Sequence, residues 1–130
     1  MEDLPSPTGR ELEILKVLWD LGPSSVRDVH VAMCNNSGEE FAYNTVQTLM
    51  RIMESKQLVT HRNDRRTFIY SPQFSREESA SRFLDRVFNG AASELMLSLL
   101  RAERVPTAEL DRMSSLIAQA KNGRRTGGSR

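Results

Sequence analysis

The sequence predicts a mainly α chain carrying one small antiparallel β-hairpin. Three observations predict it. Apolar residues recur at the spacing of a helix face in six separate stretches. Three capping boxes, each a hydroxyl residue followed three positions later by a carboxylate, pair Thr8 with Glu11, Ser25 with Asp28 and Ser75 with Glu78. Between the third and fourth stretches lie two short runs rich in β-branched and aromatic residues, Leu58 to Arg62 and Thr67 to Ser71, joined by a turn, Asn63-Asp64-Arg65-Arg66.

Residues 1–7 hold two prolines and read as a loose arm. The first helix follows the Thr8 cap. Leu12, Leu15 and Trp19 make one apolar stripe, Ile14, Leu18 and Leu21 another, and Gly22-Pro23 stops the helix. The second starts at Ser25, turns Val26, Val29, Ala32 and Met33 inward, and gives way to a loop at Asn35-Asn36-Ser37-Gly38. The third runs from Tyr43 to Lys56. Val46, Leu49, Met50 and Met53 fall on one face, Thr45, Gln47, Thr48 and Arg51 on the other. Three helices in this order, followed by a hairpin with a basic tip, make a winged helix-turn-helix.

Ser71-Pro72 closes that unit. Ala80, Phe83, Leu84, Val87 and Phe88 mark a fourth helix, ended by Asn89-Gly90 as a left-handed cap. Leu95, Met96, Leu99 and Leu100 mark a fifth, from Ala91 to Glu103. Leu110, Met113, Leu116, Ile117 and Ala120 mark a sixth, from Pro106 to Asn122-Gly123. The expected division is a winged-helix domain at 1–73, a three-helix dimerisation region at 74–123 and a disordered tail at 124–130. Three short helices make a poor core alone. A twofold homodimer is the simplest way to cover them. Phe83, Leu84, Val87 and Phe88, with Leu110, Met113, Leu116 and Ile117, are the candidate interface.

Composition is that of a soluble globular chain, 38% hydrophobic and 27% charged. No apolar run approaches the roughly 18–20 residues of a membrane span. The acidic N-terminus lacks the apolar segment of a secretory signal, so no membrane insertion and a cytoplasmic location are expected. A single cysteine, Cys34, excludes an internal disulfide framework and a cysteine-rich metal site. The net charge of +1 hides a segregation. Residues 1–40 hold three basic and eight acidic residues, net −5; residues 41–73 hold five basic and two acidic, net +3; residues 74–130 hold ten basic and seven acidic, net +3. Local density, not the sum, decides whether a polyanion binds.

An α-helix fits the major groove of DNA, where side chains read base edges. Gln47 can bond adenine bidentately, Arg51 can bond guanine or a phosphate, and the methyls of Thr45 and Thr48 can touch thymine. Tyr43 and Asn44 fall near the DNA backbone at the helix start. Arg62, Arg65 and Arg66 suit phosphate contact or minor-groove insertion. Most polar helix faces are simply solvated. The element order, the basic hairpin and the charge segregation favour DNA here. Enzyme chemistry has no support. His30 and His61 lack evident acid–base or metal partners. His30 reads as a half-buried structural residue, and His61 as a possible phosphate contact. Cys34 has no identified base and reads as a small buried side chain. No cofactor and no metal are expected. The alternatives are a winged-helix protein-interaction module, which would present an apolar reading face, and a small-molecule-sensing regulator, which would need convergent polar groups in a pocket.

Four segments, TGRELEILKVLWDL from Thr8, NTVQTLMRIMESKQLV from Asn44, THRNDRRTFIYSP from Thr60 and FLDRVFNGAASELMLSLL from Phe83, resemble the penicillinase-repressor family of bacterial transcription regulators, the BlaI/MecI type. The likeness spans Leu4 to Asn122. The Thr-Val-Gln-Thr helix with its hairpin and Tyr-Ser-Pro is its specific part, and Phe-Asn-Gly in the C-terminal half agrees. The resemblance implies a homodimeric repressor whose winged helix binds an inverted-repeat operator in double-stranded DNA. In the best-known members a membrane sensor detects a β-lactam and the repressor is then cleaved in its C-terminal region. The family's cut lies between Asn and Phe; Ser98 and Leu99 stand at the matching positions, a departure from the pattern. Copper-responsive relatives carry clustered cysteines near the C-terminus, which this chain lacks. The family often has Gly at the position of Gln57, where the reading helix ends.

Overall fold

The computed structural model describes residues 7–38 and 40–127. The arm, apart from Pro7, and residues 128–130 lie outside the described residues. The three capping boxes form. Thr8 Oγ1 accepts from the Glu11 amide at 3.3 Å, while Glu11 Oε1 accepts from the Thr8 amide at 2.9 Å. This starts α1 (Gly9–Leu21) with two otherwise orphaned amides satisfied. Ser25 and Asp28 do the same for α2 (Val26–Ser37), and Ser75 with Glu78 for α4 (Arg76–Phe88). The third helix, α3 (Tyr43–Ser55), starts at Ala42 without a side-chain cap.

Ile14 and Leu18 of α1, Val29 and Met33 of α2, and Val46, Met50 and Met53 of α3 form the core, closed below by Val59 and Tyr70. Leu12 and Leu21, expected on the buried stripes, are exposed, because α1 meets its neighbours along the Ile14–Leu18 line instead. The hairpin is β2 (Val59–Asp64) and β3 (Thr67–Pro72). A third strand, β1 (Ser24–Ser25), pairs antiparallel with β3, giving the order β1-β3-β2. Two serines carry no hydrophobic alternation, so nothing in the sequence marked them as a strand.

Some expected boundaries move. Asn35, Asn36 and Ser37 belong to α2 rather than to a loop, because the left-handed residue that ends the helix is Gly38 (φ 73°). Asn63 and Asp64 are strand residues paired with Phe68 and Thr67, so the turn is Arg65-Arg66 alone. The sixth helix, α6 (Thr107–Gly127), runs past Asn122-Gly123. Residues 124–127 are therefore helical and not a disordered tail. Gly123 keeps a negative φ, and a glycine within a helix costs only about 1 kcal/mol.

Two contacts fix α3 at its far end. Glu11, 2% exposed, takes Lys56 Nζ at 2.9 and 3.1 Å on its two oxygens. Next, the Gln57 amide donates to Glu54 O and the Leu58 amide to Met53 O, both near 3 Å. This pair of bonds is a Schellman ending, which needs a left-handed residue at Gln57, and Gln57 has φ 65°. At the other end of α1, Trp19 Nε1 donates to Phe74 O at 3.0 Å, with the Arg76 guanidinium over its ring.

The chain divides into two compact units, Met1–Ala80 and Ser81–Arg130. The second contains most of α4, then α5 (Ala92–Arg101) and α6. Asn89 and Gly90, both at positive φ, end α4 as expected. Among the described residues neither α4 nor α5 buries any side chain.

Two predictions follow from the reading-helix anchors. Burial raises the Glu11 pKa, but the Thr8 amide, the Lys56 ammonium and the Thr8 hydroxyl outweigh it and leave the carboxyl below its ordinary 4.5. A depressed carboxyl stabilises the fold above its unfolded pKa, and that contribution is lost as pH falls from 4.5 through the folded value. Glu11→Ala therefore destabilises by roughly 1–3 kcal/mol at pH 7, through loss of the Thr8 cap and the Lys56 ion pair, and by less in acid, in urea titrations at each pH. Gln57→Gly raises stability by about 0.5–1 kcal/mol, read as a shift in urea midpoint, because glycine has no side chain to oppose a left-handed turn.

Candidate nucleic-acid interface

Helix α3 sorts its side chains by the 3.6-residue repeat. Val46, Met50 and Met53 point into the core. Directly opposite lie Asn44, Thr48, Arg51 and Ser55, spaced i, i+4, i+7 and i+11 and all exposed. Thr45 lies on one flank with exposed Ile52. Tyr43, Gln47 and Glu54 lie on the other flank, turned to the hairpin.

Strand alternation sorts the hairpin. His61 pairs with Tyr70 and Asn63 with Phe68, so these four share the face toward α3. Arg62, paired with Ile69, must lie on the opposite face with Thr60 and Asp64. Arg65 and Arg66 form the two-residue tip, with φ of 54° and 71°. Positive φ at both positions makes a type I′ turn, the geometry that suits hairpin twist and is normally made by Asn-Gly. Two arginines here hold a conformation that side chains oppose.

Between helix and hairpin lies an open cleft of about 580 Å³. Tyr43, Gln47 and Arg51 line it from α3, Arg66, Thr67, Phe68 and Tyr70 from the hairpin, and Ser25, Val26 and Arg27 from the start of α2. Of the nine residues singled out from the sequence for DNA, the cleft gathers Tyr43, Gln47, Arg51 and Arg66. Asn44, Thr45 and Thr48 stand on the adjoining exposed surface of α3, and Arg65 stands at the tip. Arg62 is separated from the cleft by the sheet. Arg27 was missed. Its one signal was an exposed arginine in the first turn of the middle helix, which only the tertiary arrangement brings opposite Arg51 and Arg66.

Burial, with the Glu54 carboxylate beside it and Arg51 opposing, raises the Tyr70 pKa, so its phenol stays neutral in the cleft. Both histidines have partners that the sequence did not reveal. His61 Nδ1 bonds Glu54 Oε2 at 2.6 Å. His30 Nε2 bonds Phe41 O, and the same nitrogen lies 3.6 Å from Cys34 Sγ. A carbonyl can only accept, so that nitrogen carries a hydrogen and is not placed to take one from the thiol. Cys34 is half-buried rather than buried. No group of three or more potential ligands that could hold a metal occurs among the described residues.

The expected interface positions of the second unit are open. Phe83 is 51% and Leu116 48% exposed; Val87, Leu110 and Ile117 are exposed, and Leu84, Phe88 and Met113 half-buried. Ser98 and Leu99 are exposed near the end of α5. No helix among the described residues is long and apolar enough to cross a membrane.

A three-helix unit with a small antiparallel sheet, a polar face on its third helix and an arginine tip on its wing is a DNA-binding regulator of the winged-helix class. The chain belongs to the penicillinase repressor family, whose pattern matches residues 7–119. It is 24% identical over 126 residues to the penicillinase repressor of Bacillus licheniformis, covering 94% of this chain and 97% of that protein. The solved DNA-binding domain of the repressor BlaI matches with a TM-score of 0.51 at 24% identity, over 60% of this chain and 93% of that domain. RosR of H. salinarum matches with a TM-score of 0.55 at 18% identity, over 93% and 99%. The two structures carry the fold; the family carries the assignment as a transcriptional repressor and not an enzyme.

The strained tip makes a prediction that needs no ligand. Replacing Arg65-Arg66 by Asn-Gly raises stability by about 1–2 kcal/mol in urea unfolding, since the new pair adopts the turn without opposition.

Proposed function

We propose that the chain is a sequence-specific repressor that binds an inverted-repeat operator as a homodimer. The observation that carries this is the cleft in which Arg27, Arg51 and Arg66 surround Tyr43 and Gln47, beside the exposed face of α3. In this reading Gln47, Thr45, Thr48 and Arg51 meet base edges. Tyr43, Asn44 and Arg27 meet the backbone at the entrance, and Arg65 and Arg66 grip phosphate from the wing or enter the minor groove. Arg62, on the wing's outer face, contributes charge to the same strand. The polar reading face speaks against a protein-interaction module. The open, arginine-bordered cleft speaks against an enclosed small-molecule pocket.

The dimer supplies what one copy lacks. Residues 41–73 carry a net charge of only +3. Two copies on one duplex, with reading helices about 34 Å or a multiple apart, engage together. The exposed apolar stripes of α4 and α6, led by Phe83, Val87, Leu116 and Ile117, are the proposed interface, and the winged helix and these helices are the proposed domains. Relief by proteolysis near Ser98–Leu99, on a signal from a membrane sensor, is a further part of the reading, set in the cytoplasm. A protease takes an extended strand, so cutting there requires the end of α5 to unwind.

Selection of bound duplexes from genomic DNA tests the reading as a whole, and a chain that enriches no sequence refutes it. On a selected duplex, Gln47→Ala relaxes preference at one base position by about 1–3 kcal/mol, while Arg65-Arg66→Asn-Gly weakens specific and random DNA alike despite its greater stability. With three cleft arginines per copy, affinity of the dimer falls roughly 10³-fold between about 50 and 200 mM salt in anisotropy titrations. Leu116→Glu yields monomers in sedimentation and lowers operator affinity by about a hundredfold.

A further inference from the structure

The reading helix contains one carboxylate, Glu54. A negative charge on that helix opposes a polyanion, so its presence calls for a reason. Its partner provides one. Glu54 Oε2 accepts from His61 Nδ1 at 2.6 Å, a bond from α3 to β2. An ionised carboxylate has no hydrogen to give, so Nδ1 carries it. The His61 ring is stacked on Phe68, centroids 4.0 Å apart and planes 14° from parallel, and lies 5.5 Å from the Tyr70 ring. Phe68 and Tyr70 line the arginine cleft. Along β2, Val59 is buried, His61 half-buried, and Arg62, Asn63 and Asp64 exposed. Among the described residues of that strand, His61 is therefore the outermost held to the body before the hairpin projects.

We propose that Glu54 and His61 are a positioning pair, a latch that sets the spacing between reading helix and wing so that Arg66 reaches phosphate while Gln47 and Arg51 occupy the groove. The inference rests on the DNA-binding reading above. Neither residue touches DNA in this role. The latch holds the stacked His61–Phe68 pair against the helix, and Phe68 lies two residues beyond Arg66 on the same strand arm. The bond also removes the cost of an unpaired carboxylate beside the duplex.

Simple electrostatics and the latch give opposite expectations for one substitution. Removing a carboxylate should tighten binding to any DNA. The latch requires Glu54→Ala to weaken it, by about fivefold or more, because the wing loses its seat. Glu54→Gln keeps an acceptor for Nδ1 and so binds as wild type or more tightly. His61→Phe keeps a ring on Phe68 but loses the bond, and behaves as Glu54→Ala. The experiment measures full-length variants on a duplex selected from a random pool by the wild type, with Arg66→Ala introduced into each background. Arg66→Ala costs wild type and Glu54→Gln alike, and costs the Glu54→Ala and His61→Phe chains little. A second arm uses no DNA: hydrogen exchange across residues 59–72 quickens in Glu54→Ala and not in Glu54→Gln. Glu54→Ala binding as well as wild type, with the Arg66 effect undiminished, overturns the latch, as does unchanged exchange. A wild-type chain that retains no duplex overturns the DNA reading and the phosphate half of this inference together; the exchange arm still decides whether the bond holds the wing.

Discussion

One buried carboxylate sets where α3 can lie. Glu11 sits at the first turn of α1 and carries its charge into the interior, where it meets the Thr8 amide and the Lys56 ammonium. An ion in that setting is tolerated only while its partners stay in place, since removing one leaves a charge with neither water nor counter-charge. The start of α1 and the end of α3 are thereby tied together. Everything distal inherits this tie: Lys56 is the C-cap of α3, Gln57 turns the chain, and Val59 opens the wing. The arginine cleft lies between the two elements that meet at that corner, α3 and the hairpin.

How legible this was depended on the range of the interaction. Caps, stripes and left-handed stops act within a few residues, so the six helices, the three capping boxes and the Asn89-Gly90 stop could be read directly. Glu11 illustrates the limit. Its role in the Thr8 cap was local and visible, but its bond to Lys56 spans 45 positions, and nothing in either neighbourhood announces the other. Arg27 reaches the cleft in the same long-range way, and Glu54 meets His61, seven positions on, only because the chain turns back between them. Nearness in sequence groups Arg62 with the tip; the alternation of the strand puts it on the far face. The end of α6 departs from the sequence expectation for a different reason. Asn-Gly stops a helix only when one of the pair goes left-handed, as Asn89 and Gly90 do and Gly123 does not.

The chain departs from local preference most clearly at Gln57, Arg65, Arg66 and Glu103, all non-glycine residues at positive φ. Arg66 lines a cleft that also holds Arg27 and Arg51, and Arg65 adjoins it in the turn, so an unfavourable backbone and like charge are concentrated where a polyanion would relieve the repulsion. The second unit makes a parallel departure, leaving Phe83 and several leucines, among them Leu110 and Leu116, exposed to water. In both places local preference is overridden at the surface rather than in the core.

The chain has a single tryptophan, and its position gives the molecule a built-in optical reporter. Trp19 packs against the core of the first unit, gives its indole hydrogen to the carbonyl of Phe74 and lies beneath the guanidinium of Arg76, the first residue of α4. Indole emission responds to hydrogen bonding and to nearby charge. Light emitted by this one side chain therefore registers the state of the segment through which the wing passes into the C-terminal helices, and it does so without a label.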